Sequence, residues 1–365
     1  MDMALEFKPD LGQSLERFEA WWHGEIVDRP PVTLWAPGDK PYRGPVSTHA
    51  TLRDRWLDVR FNVEQAAARL EASRFLGDAL PVYMPNIGPE LTSTVLGAPL
   101  EFGEHTSWSV PTVHDVAQWD EVAARPFDFD NTYWRAIEAM TDLALEVGRG
   151  RFLVGVADLH GNLDILAGLR EPQMLCLDLM DDLPRVARAL DHAVDGYVEC
   201  FRRGYGKLAA AGQVATTWTP TLHAGPAYVP SSDFWCMLSD EMARDLVLPA
   251  IVKEMAPLGR SIFHLDGPQA LRHLDLLLQL PELDAVQWVF GAGQGPAAKW
   301  MDVYRQCRAA GKSVQVLADT ADDALAVLDA VGPRGVWLCV GEGFKSAAEA
   351  EAYLREVERR CVAMA

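Results

Sequence analysis

Residues 261–275, SIFHLDGPQALRHLD, contain a short apolar run, a polar end and the beginning of a helix. The run is typical of a strand that is covered on both faces, as in a parallel sheet. Gly267 and Pro268 then turn the chain into a helical pattern. His264 and Asp266 stand at the end of the strand, where polar side chains are costly to bury without partners. The stretch therefore predicts one strand–helix unit with two polar side chains that need an explanation.

The same unit recurs along the chain, and in the second half it returns at a spacing of about 25 residues. Eight such units with no linker between them predict an α/β fold of the (β/α)8 TIM barrel type. An open, doubly wound sheet is the alternative, but WAPGDKPYRG after the first strand lacks the spacing of a phosphate-binding loop. The predicted strands are 31–36, 80–84, 152–157, 213–218, 260–265, 284–289, 313–318 and 335–340.

We expect one domain over residues 1–365, with a helical N-terminal extension at 1–30 and an insertion at 86–130 between the second and third strands. The insertion contains GPELTSTVLG, which predicts a short helix, and LEFGEHTSWSV, which predicts a hairpin. Insertions on a barrel usually lie over the active-site mouth, so this one is expected over the C-terminal face.

The composition of the chain excludes some classes of partner and indicates the cellular compartment. The 365-residue chain is 49% hydrophobic and has a formal net charge of -19. Nucleic acid and anionic membranes need a basic surface and are therefore not expected as partners. The six cysteines form no CxxC pair, and neither a secretory signal nor an apolar run of transmembrane length is visible. These features predict a cytoplasmic protein with reduced thiols.

Polar and aromatic residues follow most of the predicted strands. In a barrel all the carboxyl ends of the strands meet at one face, where enzymes of this fold carry their chemistry. The residues at these ends are Trp35, Asn86, Asp158 with His160, Trp218, His264 with Asp266, Gln287 with Trp288, Asp319, and Cys339 with Glu342.

A metal site is one chemistry that this set suggests. His264 and Asp266 are two residues apart on one strand, so their side chains point to the same side of the sheet. Cys339, from the last strand, is the expected third ligand and would leave an open coordination position. The alternative for Cys339 is a small buried apolar side chain.

Proton transfer and aromatic recognition are two further chemistries. In ADLHGNLD, Asp158 and His160 form a second pair at a strand end, suited to general acid–base work together with Asp266. The alternative is an ordinary helix start with Asp164 in the first turn. Indoles bind cations and flat rings, and we expect Trp218 and Trp288 to line one cavity with His264.

Three stretches resemble the uroporphyrinogen decarboxylase (URO-D) superfamily: SSDFWCMLSDEMARDLVLPAI (231–251), IFHLDGPQALRHLDLLLQLPELDAVQW (262–288) and GAGQGPAAKWMDVYRQCRAAGK (291–312). RFEAWWHGEIVDRPPVTL (17–34) and ADLHGNLDILAGLR (157–170) are similar to the same superfamily. The bacterial branch of uncharacterised URO-D-domain proteins, related to corrinoid-linked methyltransferases and more distantly to MetE-like methionine synthase, is the most similar. The resemblance implies a barrel, a zinc-dependent methyltransferase and a homodimer.

The resemblance also assigns residues. The related methyltransferases carry His-x-Cys on the fifth strand and a further Cys on the last one. His264 matches the first ligand, Asp266 replaces the following Cys, and Cys339 matches the last. Asp233 stands where the superfamily has an aspartate that faces the mouth, and we assign it to substrate contact. The arginine motif of the decarboxylase has no counterpart in the chain, so uroporphyrinogen itself is not the expected substrate.

The sequence thus predicts an enzyme that transfers or removes a one-carbon unit, with a metal-dependent methyltransferase acting on a small molecule as the leading hypothesis. Zinc is the implied metal, and a separate corrinoid protein is the expected partner. The alternatives are a metal-free decarboxylase or lyase and a non-catalytic ligand-binding barrel. The expected catalytic residues are Asp158, His160, His264 and Asp266, the metal ligands are His264, Asp266 and Cys339, and the substrate contacts are Asn86, Trp218, Asp233, Gln287, Trp288 and Glu342.

Overall fold

The computed structural model describes residues 4–364 and shows a mixed α/β fold around a mostly parallel sheet. Seven strands form this sheet in the order β2-β1-β11-β10-β9-β8-β7, and two smaller pairs are β3-β6 and β4-β5. The strands are β1 (Val32–Pro37), β2 (Ser73–Gly77), β3 (Val82–Tyr83), β4 (Leu100–Phe102), β5 (Ser107–Ser109), β6 (Leu153–Val154), β7 (Ala227–Tyr228), β8 (Arg260–Asp266), β9 (Ala285–Val289), β10 (Ser313–Ala318) and β11 (Val336–Val340).

Helices connect the strands and cover them. They are α1 (Leu11–Trp22), α2 (Leu52–Leu57), α3 (Val59–Glu71), α4 (Leu91–Val95), α5 (Trp119–Ala123), α6 (Thr132–Val147), α7 (Asn162–Arg170), α8 (Pro172–Asp181), α9 (Leu183–Ala210), α10 (Asp240–Met242), α11 (Leu248–Met255), α12 (Leu274–Leu278), α13 (Met301–Ala309), α14 (Ala321–Val331) and α15 (Ala347–Met364). Side chains of Thr51, Asp58, Asn131 and Thr320 accept hydrogen bonds from the first turns of α2, α3, α6 and α14, which fixes where these helices begin. Among residues 4–364, no helix has both the length and the apolar character needed to span a membrane.

The first and last strands of the sheet are neighbours. β1 pairs in parallel with β11, Thr33 opposite Cys339, and on its other edge it pairs antiparallel with β2. All other neighbours in the seven-stranded sheet are parallel. The β3-β6 pair is also parallel and continues through a backbone hydrogen bond of 3.0 Å from Val156 N to Thr216 O. The carboxyl ends of the parallel strands therefore lie at one edge.

Most of the predicted strands are confirmed, but one is wrong. β1, β8, β9, β10 and β11 match their predicted spans, while β3 and β6 are shorter than predicted. Residues 213–218 form no strand. Ala215 makes a single bridge, to His223, and the side chain of Thr217 donates a hydrogen bond to Thr219 O. The segment therefore lacks the regular ladder of backbone hydrogen bonds that defines a strand. On the edge away from β9, β8 pairs with β7, and this pairing continues to a bridge between Ser231 and His264.

The first half of the chain also contains β2, a strand that is not among the predicted ones. β2 lies in a segment with a helical pattern, but α3 ends at Glu71 and the chain turns back to pair with β1. The hairpin expected in LEFGEHTSWSV is confirmed as β4 and β5. α4, β4, β5 and α5 all fall within residues 86–130, and the position of this insertion over the C-terminal face stays a prediction.

One apolar cluster covers the amino-terminal ends of the strands; we call it the lower layer. It joins Phe18, Trp21 and Trp22 of α1 to Ile262, Ala285 and Trp337 on the strands, together with neighbouring apolar residues. The indole of Trp21 lies 5.6 Å from that of Trp337, between ring centroids. Its Nε1 donates to Val314 O at 3.3 Å, and Trp22 Nε1 donates to Leu222 O at 2.8 Å. α1 therefore seals this end of the sheet.

Candidate metal and proton-transfer site

Three candidate ligands converge at the carboxyl end of β8. One ligand atom from each of Asp233, His264 and Asp266 lies within 4.8 Å of the other two. His264 and Asp266 reach this point because alternate residues of a strand share a face. Asp233 arrives from the segment after β7, which is attached to β8 through the Ser231–His264 bridge. A histidine and two carboxylates at such distances suit a divalent cation.

The ring of His264 is held from its other side. Its Nδ1 contacts Oε1 of Gln287, the residue opposite it on β9. Since an amide oxygen only accepts, the proton is on Nδ1 and Nε2 is free to bind a metal. The amide of Gln287 is itself oriented, because its Nε2 donates to Gln315 Oε1 at 2.8 Å and to Thr219 Oγ1 at 3.2 Å. Such support is common behind metal-binding histidines.

An aromatic ring lies against the same histidine. The Trp218 indole meets the His264 imidazole edge-on, with 5.0 Å between ring centroids. Trp218 and His264 therefore lie side by side, and their sharing a cavity stays a prediction. Burial raises the pKa of Asp266, although His264 opposes the shift. A bound cation would lower that pKa again.

A second group of titratable residues lies in the loop after β6 and in the first turn of α7. Burial raises the pKa of Asp158, and it raises the pKa of Asp164 to about 6. Burial alone would lower the pKa of His160, but the carboxylates of Asp164, Asp158 and Glu90 outweigh it and raise the pKa. A carboxyl group with a pKa of about 6 beside an imidazole is suited to general acid–base chemistry.

Cys339 lies outside the three-residue cluster. Its thiol accepts a hydrogen bond of 3.2 Å from Gln315 Nε2, and burial raises its pKa to about 12. The structure thus places Asp233, and not Cys339, beside His264 and Asp266. The reason is the strand order: β11 is separated from β8 by β9 and β10, whereas β7 is adjacent to β8. Gln315 and Gln287 connect Cys339 to His264 through hydrogen bonds.

Cys339 contributes to a cavity of about 350 Å³, which we call the upper recess. Trp35, Val289, Leu317 and Asp319 also line it. The side chain of Trp35 is 43% exposed, which is a large fraction for an apolar indole, and Asp319 is also exposed. The recess is therefore mostly apolar, with one thiol and one carboxylate.

Trp288 does not share a cavity with His264, and this expectation is wrong. It is 1% exposed and packs against Trp300, with 5.2 Å between ring centroids. Gln287 and Trp288 are consecutive on β9, so their side chains point to opposite faces. Gln287 lies beside His264, and Trp288 therefore faces the helices.

Two more predicted substrate contacts lie apart from the cluster. Asn86 lines a different cavity of about 550 Å³, together with Trp56, Arg69 and Tyr83, and its Oδ1 accepts from Gly88 N at 2.7 Å. Glu342 is exposed in the loop after β11. The substrate-binding roles of Asn86, Glu342, Trp218, Gln287 and Trp288 stay predictions.

Sequence reasoning missed several residues that support the cluster. Gln315 and Thr219 hold the amide of Gln287, and Asn162, Asp164 and Glu254 form a buried network behind Asp233. Gln315 had a usable signal, because a glutamine in the middle of the apolar strand SVQVLA is costly to bury without a partner. Glu254 had none, since it sits in an ordinary amphipathic pattern.

Comparison with known proteins shows a shared fold. No protein-family model matches the chain, and no curated protein matches it. A methyltransferase from Methanosarcina mazei matches with a TM-score of 0.61 and 14% identity, over 95% of this chain and 98% of that one. A B12-independent methionine synthase from Shewanella sp. W3-18-1, in complex with selenomethionine, aligns with a TM-score of 0.38 and 10% identity, over 92% and 97% of the two chains. The chain is thus similar in fold to the first of these structures along nearly its whole length.

Proposed function

We propose that this protein is a metal-dependent methyl-transfer enzyme, whose metal ligands are Asp233, His264 and Asp266. The observation that carries the proposal is the convergence of these three ligand atoms within 4.8 Å of one another. The likeness in fold to a methyltransferase and the URO-D resemblance support the type of reaction.

We also propose that the sheet closes into a (β/α)8 barrel. The pairing of the first strand with the last, β1 with β11, supports closure. The lower layer supports it too, because Leu80 before β3, Leu153 of β6, Ile262 of β8 and Trp337 of β11 belong to one cluster. Inside a barrel, side chains from strands that are far apart in the strand order are expected to meet in one cluster.

The three residues fit a metal ion of the zinc type. One imidazole and two carboxylates form a harder ligand set than the His-x-Cys and Cys of the related methyltransferases, so Mn²⁺ and Fe²⁺ are also suited to it. A bound ion would supply Lewis-acid chemistry at the mouth of the sheet. Gln287 fixes the ring of His264, and Trp218 keeps water from one side of it.

The upper recess is the proposed place for the small-molecule substrate, since its apolar lining suits a group that carries a methyl. Cys339 stays a protonated thiol there at neutral pH, because its pKa is about 12. We keep a separate corrinoid protein and a second copy of the chain as proposed partners, on the strength of the URO-D resemblance.

Metal analysis of the purified protein tests the proposal. We expect one divalent ion per chain in the wild type, and none in His264→Ala. Zn²⁺, Mn²⁺ and Fe²⁺ are added separately to metal-free protein to identify the ion that binds most tightly. A wild-type protein that binds none of the three contradicts the proposal.

A metal-free decarboxylase or lyase is the second candidate, and the group of Asp158, His160 and Asp164 favours it. Buried carboxyl groups with raised pKa values, close to an imidazole, are suited to proton transfer. Turnover that survives a chelator but not Asp158→Asn would support this candidate. A ligand-binding barrel without catalysis is the third, and it would bind a ligand in the upper recess without converting it.

A further inference from the structure

We infer that Asn162 and Asp164, in the HGNLD stretch (160–164), are positioning residues that hold Asp233 at the metal cluster; the inference rests on the proposed function. The Asp233 side chain is exposed, on a turn between β7 and the short 3-10 helix at Phe234–Met237. A ligand on such a turn is useful only if the turn is fixed, because a mobile ligand loses conformational entropy on binding.

Asp164 fixes the backbone of Asp233 itself. Its Oδ2 accepts from Asp233 N at 2.9 Å, and its Oδ1 accepts from Phe234 N at 2.7 Å. Asp164 is 6% exposed, so these two bonds are largely shielded from water. An aspartate that serves only its own helix would accept from the first turn of that helix. Both oxygens of Asp164 instead bind a segment that lies about 70 residues further along the chain.

Asn162 fixes the two residues before Asp233. Its Nδ2 donates to Ser231 O at 2.7 Å, and its Oδ1 accepts from Ser232 Oγ at 2.7 Å. Its backbone has a φ of 36°, in the left-handed region that a non-glycine residue rarely adopts. Such a conformation persists where the surroundings impose it.

Glu254 of α11 imposes it here. Its Oε1 accepts from Asn162 N at 2.6 Å, and the side chain is 0% exposed. Gly161 leaves room for this contact, because a Cβ at Gly161 would lie 2.4 Å from the same oxygen. On its other side the turn is attached to β8, where His264 N donates to Pro230 O at 2.9 Å. The turn is thus held between α7 and the strand that carries the other two ligands.

The chain offers a matched control for Asp164. Asp323, in the first turn of α14, accepts from Ala297 N at 2.7 Å and from Ala298 N at 2.8 Å. The bonding is the same: one buried carboxylate binds two consecutive backbone N–H groups of a distant turn. The turn that Asp323 holds, however, carries no member of the metal cluster.

The test compares Asp164→Asn with Asp323→Asn. Each loses one of its two acceptor atoms, so both should lower the melting temperature by a similar amount. Zn²⁺ affinity, measured by competition with a chromophoric chelator, should fall roughly 10- to 100-fold in Asp164→Asn, as for other residues behind metal ligands. It should stay within about twofold of wild type in Asp323→Asn. The visible spectrum of the Co²⁺-loaded protein should change only in Asp164→Asn.

Asn162→Gly separates positioning from stability. Glycine tolerates the positive φ, so the melting temperature should be kept better than in Asn162→Ala, while both lose the bonds to Ser231 and Ser232. We expect Asn162→Gly to weaken Zn²⁺ binding although it folds normally. The inference is overturned if Asp164→Asn and Asn162→Gly bind Zn²⁺ as tightly as wild type, or if Asp323→Asn weakens it equally. In those cases the proposed function stands as long as binding depends on His264, whereas a wild type that binds no Zn²⁺, Mn²⁺ or Fe²⁺ overturns both.

Discussion

The same strands carry two layers of opposite character, only two residues apart. Ile262, Ala285 and Trp337 belong to the lower layer, which α1 covers. Two residues further along, on the same face, stand His264, Gln287 and Cys339. We call these residues, with Gln315 and Thr219, the upper layer. Its side chains are linked by hydrogen bonds, and its edge carries the metal cluster.

The difference shows how one sheet separates stability from chemistry. The lower layer buries large apolar side chains, which is the main source of folding free energy. The upper layer buries amides and a thiol, whose net contribution to stability is small once their lost hydration is counted. Substitutions in the lower layer should therefore unfold the protein, and substitutions in the upper layer should change what it binds.

The largest effect is expected from Trp21→Ala in the lower layer. The indole is fully buried between Phe18 and Trp337, so its loss leaves a cavity that costs about 3–5 kcal/mol of unfolding free energy. Denaturant unfolding measures this loss. Trp108→Ala is the control, because Trp108 is 47% exposed and its removal should cost less than about 0.5 kcal/mol. Equal losses in the two variants would break the comparison.

His264→Ala should weaken metal binding and leave stability almost unchanged, which is the opposite of Trp21→Ala. We expect metal affinity to fall more than about 100-fold, because a ligand itself is lost and not only its support. The unfolding free energy should change by less than about 1 kcal/mol, since the ring is only half-buried at the sheet edge. His114→Ala, an exposed histidine elsewhere, should leave metal binding unchanged. If His264→Ala unfolds the protein, the upper layer is structural after all.

The support behind Asp233 of the metal cluster should make stability depend on pH. Burial raises the pKa of Glu254 from 4.5 to about 8, so the folded protein holds a proton that the unfolded chain releases between these values. This stabilisation is fully present below about pH 4.5 and is lost as the pH rises through about 8. Glu254→Gln should therefore flatten the profile of unfolding free energy between pH 5 and 8. An unchanged profile would show that Glu254 is ionised in the folded state, and Glu64→Gln, at the surface, is the control.

Gln287→Leu should have the smallest effect of the four. It removes the acceptor for His264 Nδ1, and outer partners of this kind are worth roughly 10-fold in metal affinity. Stability should hardly change, because Gln315 Oε1 keeps its bond from Thr219 Oγ1 at 2.8 Å. The comparison is Gln279→Leu on the exposed end of α12, which should not alter metal affinity. A loss as large as that of His264→Ala would mean that Gln287 contacts the metal or substrate directly.

Local patterns predicted much of this arrangement. The apolar runs gave β8 to β11, and the two-residue spacing of His264 and Asp266 placed them on one face because strand side chains alternate. The same rule, applied to Gln287 and Trp288, already separates them onto opposite faces. The apolar run at 213–218 was misleading, since hydrophobicity alone does not show which neighbour a backbone will pair with.

The third member of the cluster was harder to predict. The sequence predicts Cys339 as the third ligand, from its place on the last strand and from the resemblance, and assigns Asp233 only to substrate contact. Asp164 accepts a hydrogen bond from Asp233 N, and Asn162 donates one to Ser231 O, so these bonds link segments about 70 residues apart. No periodicity within either segment contains that information. The sequence therefore indicated the edge of the sheet that carries the chemistry, but not the complete set of side chains there.

The seal made by α1 also sets an order of folding during synthesis. Trp21 is made 293 residues before Val314, whose carbonyl accepts its hydrogen bond. At about 5–20 residues per second, translation needs roughly 15–60 s to cover that distance. Throughout this time the docking surface of α1 is incomplete, because Trp337 of β11 follows Val314 in the chain. Slower translation would lengthen the time for which the apolar side chains of α1 stay exposed.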